Sequence, residues 1–128
     1  MLLERMSEFS AFADHRYLAL TTFRKDGQPE TASFWFVLDG NKLNVMLRAN
    51  AAEIQRIRHN AQVEVAPCDE HGVLVGTAIE AMALIVPDDE NYPAAHAFAQ
   101  KYGIRKHSTE IFWRLRGSRC LYLEITPM

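Results

Sequence analysis

Apolar positions along this chain alternate over short runs far more often than they recur at helical spacing, and the alternating runs predict strands. Tyr17 to Phe23 is apolar and rich in aromatic residues and Thr. Lys25-Asp26-Gly27-Gln28 follows, its Asp-Gly pair supplying the positive φ of a hairpin turn. Thr31 to Leu38 predicts a second strand, Asp39-Gly40-Asn41 a second turn, and Leu43 to Leu47 a third strand. The chain then passes Arg48 and Ala49 into Asn50-Ala51-Ala52-Glu53, where Asn50 is placed to cap a short, arginine-bearing helix with Glu53 at the reciprocal capping position. Gln62 to Pro67 and Leu74 to Val86 read as strands four and five around a turn at Glu70-His71-Gly72. Arg119 to Thr126 closes the sheet, with Leu121, Leu123 and Ile125 alternating against Tyr122, Glu124 and Thr126.

Beyond that short helix, three further segments are predicted helical. Leu2, Met6, Phe9 and Ala13 lay one apolar stripe on an N-terminal helix, expected to lid one end of a barrel. Pro87 and Pro93 bracket a helix start near Glu90 to Tyr92, with Tyr92, Ala95, Ala99 and Tyr102 as its buried face and Gly103 as its stop. A last helix, Thr109 to Arg116, carries Ile111 and Leu115 on one face and ends at Gly117. Six strands in this order predict a small antiparallel barrel, mainly β with peripheral helices, because an open sheet of that size would expose apolar edges.

Composition sharpens the class. The 128 residues, 48% apolar, fit a single domain over 1–128 with a real core. The 14 basic and 16 acidic residues leave a net charge of -2, which argues against a nucleic-acid binder relying on counterion release. Cys68 and Cys120 stand far apart, neither in a Cys-x-x-Cys pair, and read as reduced thiols. The start, Met1-Leu2-Leu3-Glu4-Arg5, is neither a signal peptide nor a membrane span, so the expectation is a cytoplasmic protein. His15, His59, His71, His96 and His107 show no metal-ligand spacing. Cys68 with His71 lacks an orienting third group and reads as a buried thiol. Trp35 and Trp113 are more readily core or interface residues than ring-stacking ones.

Leu18-Ala19-Leu20-Thr21-Thr22, the Asp26-Gly27 turn, Trp35-Phe36, Arg56-Ile57-Arg58 with Asn60, Val65 to Asp69, Gly76 and Lys101-Tyr102-Gly103 together carry a resemblance. In order and spacing the chain resembles the split β-barrel family of pyridoxamine 5'-phosphate oxidase, and in particular its flavin- and deazaflavin-dependent oxidoreductase branch. The resemblance implies a homodimer with cofactor sites along the subunit interface, each holding FMN or coenzyme F-420 beside a small-molecule substrate. Arg56-Ile57-Arg58 and Val65 to Asp69 look more like the F-420 branch, so that cofactor is the first choice. The cofactor would do the chemistry, and the protein would orient it and exclude water, so no catalytic side chain is assigned. By position the ring would lie near Thr31, Ala32, Ser33, Trp35, Met46 and Leu47. The phosphate would meet Arg48 and the helix start at Ala51, Ala52 and Glu53, with Arg56 near, where free N–H groups favour an anion.

One departure matters. Relatives that bind a phosphate-bearing cofactor usually carry a lysine where Glu53 stands, and a basic or hydroxyl residue where Ala51 or Ala52 stands. Glu53 is explained locally by the capping box and by its i,i+3 neighbour Arg56, yet it repels phosphate unless Arg48 or Arg56 compensates. The alternative is therefore a non-redox protein on the same scaffold that holds haem, a lipid or another small molecule. Fold alone does not decide between the two.

Overall fold

The computed structural model describes residues 9–87, 93–102 and 120–128. Six antiparallel strands close a barrel in the order β1-β2-β3-β6-β5-β4: β1 Tyr17–Phe23, β2 Pro29–Asp39, β3 Lys42–Arg48, β4 Gln62–Cys68, β5 Ile79–Pro87 and β6 Cys120–Pro127. Helix α1 spans Ala52–His59 and α2 Pro93–Tyr102. Among the described residues no helix is long and apolar enough to cross a membrane.

The turns follow from their glycines. Gly27 (φ 85°) closes the β1–β2 turn, where Gly27 N–H donates to Arg24 O at 2.8 Å and Gln28 N–H to the Asp26 carboxylate at 3.0 Å. Asp39 pairs with Lys42, leaving Gly40 and Asn41 as a two-residue loop, and Gly40 alone has positive φ (59°), the pattern of a type II′ turn.

Alternation then sorts the side chains. Leu18, Leu20, Phe36, Leu43, Val45, Leu47, Val63, Val65, Leu123 and Ile125 fill the barrel. Phe9 and Phe12 close the end where β1 begins, with Phe12 edge-on to Phe36 at 5.6 Å. Ile54 and Ile57 of α1 close the other. A second cluster lies outside the barrel, where Phe98 and Tyr102 of α2 cover Val37, Met46 and Tyr122.

Several expectations need correction. The fifth strand begins at Ile79, not Leu74. The Asp69 carboxylate accepts N–H bonds from His71 (2.8 Å) and Val73 (2.9 Å), folding residues 69–78 into a flap instead. Val75 N–H donates to Pro67 O at 2.9 Å, and Gly76 packs so closely that a Cβ there would stand 2.7 Å from Pro67 Cγ. Val73, Leu74 and Val75 are consequently more than half exposed. Asn50 does not cap α1. A turn closed by Ala51 N–H to Arg48 O (3.0 Å) moves the N-cap to Ala51, which has no side chain to bond with, so no capping box forms.

At the N-terminus, Phe9 is buried as expected. Ala13 lies exposed beyond a 3-10 helix of only Ser10–Phe12, and Leu2 and Met6 fall outside the described residues. Helix α2 starts at Pro93 and buries Phe98, absent from the expected stripe, beside the expected Tyr102. Tyr92, Gly103 and the helix expected over Thr109 to Arg116 lie outside the described residues.

Candidate functional site

Strand β2 changes neighbours midway. From Pro29 to Trp35 it pairs with β1, and from Phe36 to Asp39 with β3. Val45 faces Phe36, so continued pairing would set Met46 against Trp35 and Arg48 against Ser33, but the two strands diverge there. β3 runs on against β6 alone. Thus Pro29–Trp35 keeps an edge with no strand partner among the described residues. This is the split in the barrel, and the residues expected to face a cofactor ring line its two sides.

Their placement differs residue by residue. Thr31 and Ser33 are exposed on the outer face of β2. Thr31 Oγ1 lies 2.7 Å from Thr21 Oγ1 on β1. Trp35 is half-buried, and one face of its indole stacks on Tyr102 at 4.7 Å and 15°. Met46 is buried beneath α2, and Leu47 sits in the barrel core. Ala32 alternates with Thr31 and Ser33 and so points to the barrel side. Arg48 ends β3 half-buried. The outer face therefore brings together Thr31, Ser33, the open side of Trp35 and Arg48, and leaves Leu47 and Met46 covered.

Four residues after Arg48, α1 begins. Its cap, Ala51, is half-buried and Ala52 exposed, and the cap residue makes no side-chain hydrogen bond to the first turn. Free N–H groups at a helix start suit an anion. Glu53 does not stand alone. Its carboxylate lies 3.5 Å from the Arg56 guanidinium, both side chains being less than one-fifth exposed. Arg56 Nε in turn donates to the buried Thr22 hydroxyl at 2.6 Å, tying α1 to β1. The local charge of this pair is near zero, so the helix start is neither the basic cradle of a typical phosphate site nor a bare acid.

Sequence reasoning did not place the structure that shapes this edge from behind. Just before β1 begins, the Tyr102 hydroxyl fills the next position of the ladder. It accepts Phe36 N–H at 3.0 Å and lies 2.7 Å from both Arg16 O and Phe36 O, its single proton serving one or the other. Lys101 Nζ donates to Phe36 O at 2.8 Å and sits 3.9 Å over the Phe36 ring. Burial, with Arg16 nearby, lowers the Lys101 ammonium to about 8, and burial raises the Tyr102 phenol well above the ordinary tyrosine value. Tyr102 was legible as a buried helix position. Its partner, 66 residues earlier, was not.

Cys68 is buried, and desolvation with Asp69 beside it raises the thiol above its ordinary value. The His71 ring is exposed and lies 3.4 Å from the Glu70 carboxylate. This pair has no nucleophile–base geometry.

A closed six-stranded barrel with one split edge defines a split-barrel protein. The family model for pyridoxamine 5'-phosphate oxidase matches residues 3–120, and the chain belongs to that family. Among solved structures, the haem-storage protein HutZ from Vibrio cholerae is similar at 17% identity and TM-score 0.67, over 90% of this chain and 83% of that one. An F420 reductase is similar at 20% identity and TM-score 0.59, over 95% and 94%. A FAD-binding protein from Mesorhizobium loti gives 21% identity and TM-score 0.66, over 99% and 87%. At these identities the likeness shows the fold. No match is found among curated proteins.

Proposed function

We propose that this chain is a cytoplasmic oxidoreductase that binds a deazaflavin of the F-420 type, or FMN, and transfers a hydride between it and a small organic substrate at the interface of a homodimer. The observation that carries this reading is the split between β2 and β3, with the uncapped start of α1 following the end of β3. Family membership and the likeness to an F420 reductase and a FAD-binding protein support a flavin-type group in general.

The residues present fit such a group. The outward N–H and C=O groups of the β2 edge suit the polar rim of a flavin-like ring, with the Thr31 and Ser33 hydroxyls beside them. Arg48 and the first N–H groups of α1 suit a phosphate, and Arg56 offsets the charge of Glu53. When bound, the cofactor supplies the hydride-carrying ring, so the chain needs no acid–base pair of its own. The chain's work is to orient the ring along β2, exclude water with the second subunit, and hold the tail at α1. Lys101 and Tyr102 fix the strand that presents the site.

Glu53 and the likeness to HutZ favour a second reading, a non-redox carrier of haem, a lipid or another small molecule on the same scaffold. The two separate by the absorbance and mass of whatever co-purifies, followed by titration with FMN and F-420. A bound flavin or deazaflavin, or binding that quenches indole fluorescence in the native chain and much less in Trp35→Phe, is the expected result. A Soret band, or no binding of either cofactor, supports the carrier. Light scattering that gives a 14.6 kDa monomer at micromolar concentration would remove the shared-site model.

A further inference from the structure

Next to the split edge of β2, the outer face of β1 and β4 holds a groove of about 290 Å³, with Thr31 on its rim. Ala19 and Ala66, paired across the two strands, line it together with the Thr21 and Thr31 hydroxyls, Glu64, and Leu74 of the flap. Small side chains where β1 meets β4 leave the space, and the flap, pinned by Asp69 and by Gly76 against Pro67, closes one side. The volume lies at or below the foot of the roughly 300 to 1,000 Å³ range of ligand pockets, so the occupant is far smaller than a flavin.

Charge selects it. Glu64 is half-buried, and among the described residues it has no ion-pair partner. Glu80 stands directly across from it in the β4–β5 register, on the same outward face and likewise without a partner. Like charges opposed across a ladder repel. A cation in the groove relieves that repulsion, while the two hydroxyls retain acceptor capacity for its N–H groups and Leu74 and the alanines cover an apolar body.

We propose that this groove binds a small organic cation, an ammonium or amidinium group on a short apolar body, with the charged end at Glu64. The groove shares Thr31 with the proposed ring site but contains none of the residues assigned to the phosphate, and its test uses neither cofactor.

Titration of the purified chain by calorimetry with benzylamine at neutral pH, and with its neutral counterpart benzyl alcohol, tests this without FMN or F-420 present. Benzylamine is expected to bind at least about tenfold more tightly than the alcohol, and added salt to weaken it. Glu64→Gln should abolish the preference for the amine. Ala78→Phe, at an exposed flap position lining the groove, should block both ligands with Glu64 intact. Thermal melts check that each variant folds, and the amine–alcohol contrast in the native chain stands whatever they show. Equal binding of amine and alcohol overturns the proposal, as does a Glu64→Gln variant that keeps the preference or native protein that binds no benzylamine at about 10 mM.

Discussion

The two halves of β2 solve the same problem in opposite ways. At Phe36, the start of the second half, β2 is closed on both edges. β3 pairs with one, and at Phe36, where β1 has run out, the Tyr102 hydroxyl and Lys101 ammonium supply the missing partners on the other. Pro29–Trp35 is closed by β1 on one edge only. Backbone polar groups that no water reaches must be paired, which explains why α2 commits two polar side chains to a single residue. An edge left open through Thr31, Ser33 and Trp35 is a liability in a stable barrel, since it invites another strand. Its retention fits the ligand-binding edge proposed above.

The largest expected effect breaks the closed half. Tyr102→Phe keeps the ring stacked between Trp35 and Phe98 but removes the hydroxyl, leaving Phe36 N–H and Arg16 O without it. An orphaned buried group costs about 1 to 3 kcal/mol. Ser33→Ala, on the open half, should stay within about 0.5 kcal/mol, as exposed substitutions do. Urea denaturation of the two variants gives the comparison directly, and similar losses in both would mean that the halves do not differ energetically.

This contrast also explains what the sequence revealed. Strands β1, β2, β3, β4 and β6 were legible to within about two residues because alternation and the Asp-Gly and Gly-Asn turns are local signals. The start of β5 was not, because Leu74-Val75 imitates a strand, while the pinning of the flap depends on Asp69 and on Gly76 meeting Pro67. The helix cap failed for a similar reason, as the turn between Arg48 and Ala51 consumes the position from which Asn50 would have bonded. The candidate site was drawn from the sequence as a stretch of β2, β3 and α1. Which of its members face outward depended on α2 docking over Met46, a contact between segments some 50 residues apart.

Glu53→Lys sharpens the open half. The substitution breaks the pair with Arg56 and places two cations at the start of α1. No capping bond is lost, since none exists, so the stability cost is that of the lost, largely buried ion pair. Affinity for FMN or F-420 should rise at least about tenfold, equivalent to roughly 1.4 kcal/mol, and become more salt-sensitive. If the variant folds normally and binds neither cofactor better, α1 is not the phosphate site and the carrier reading gains.

A proline contrast reads the ladder itself. Phe36 N–H points to the β1 side, toward Tyr102, so strand alternation turns Ala32 N–H to β1 and Ser33 N–H to the split. Pro29, four residues before Ser33, already occupies that parity, where its missing N–H costs no ladder bond. Both Ala32→Pro and Ser33→Pro impose the same constraint on φ. Ala32→Pro should nevertheless be the less stable by about 1 kcal/mol, the worth of one hydrogen bond, in a matched urea series. Equal losses would show that Ser33 N–H is engaged as well.

The smallest expected effect is a pH dependence arising at the closed half. Lys101 is held at about 8 by burial, below its ordinary 10.5. Below pH 8 both folded and unfolded chains carry this proton, and the folded state bears the cost of burying it. Between about 8 and 10.5 the folded chain has released the proton while the unfolded chain keeps it, so the unfolded state binds more protons and stability rises with pH. Tyr102 acts oppositely, because its raised value means that its contribution is present below pH 10 and is lost above it. The window that isolates Lys101 is therefore pH 8 to 10. Because the Lys101 amine is only part-buried, solvent screening should keep the rise shallow. Urea midpoints across that window should climb in the native chain and run flatter in Lys101→Met, which keeps much of the contact with Phe36 but cannot titrate. The same slope in both would assign the rise to another group and leave Phe36 closed by Tyr102 alone.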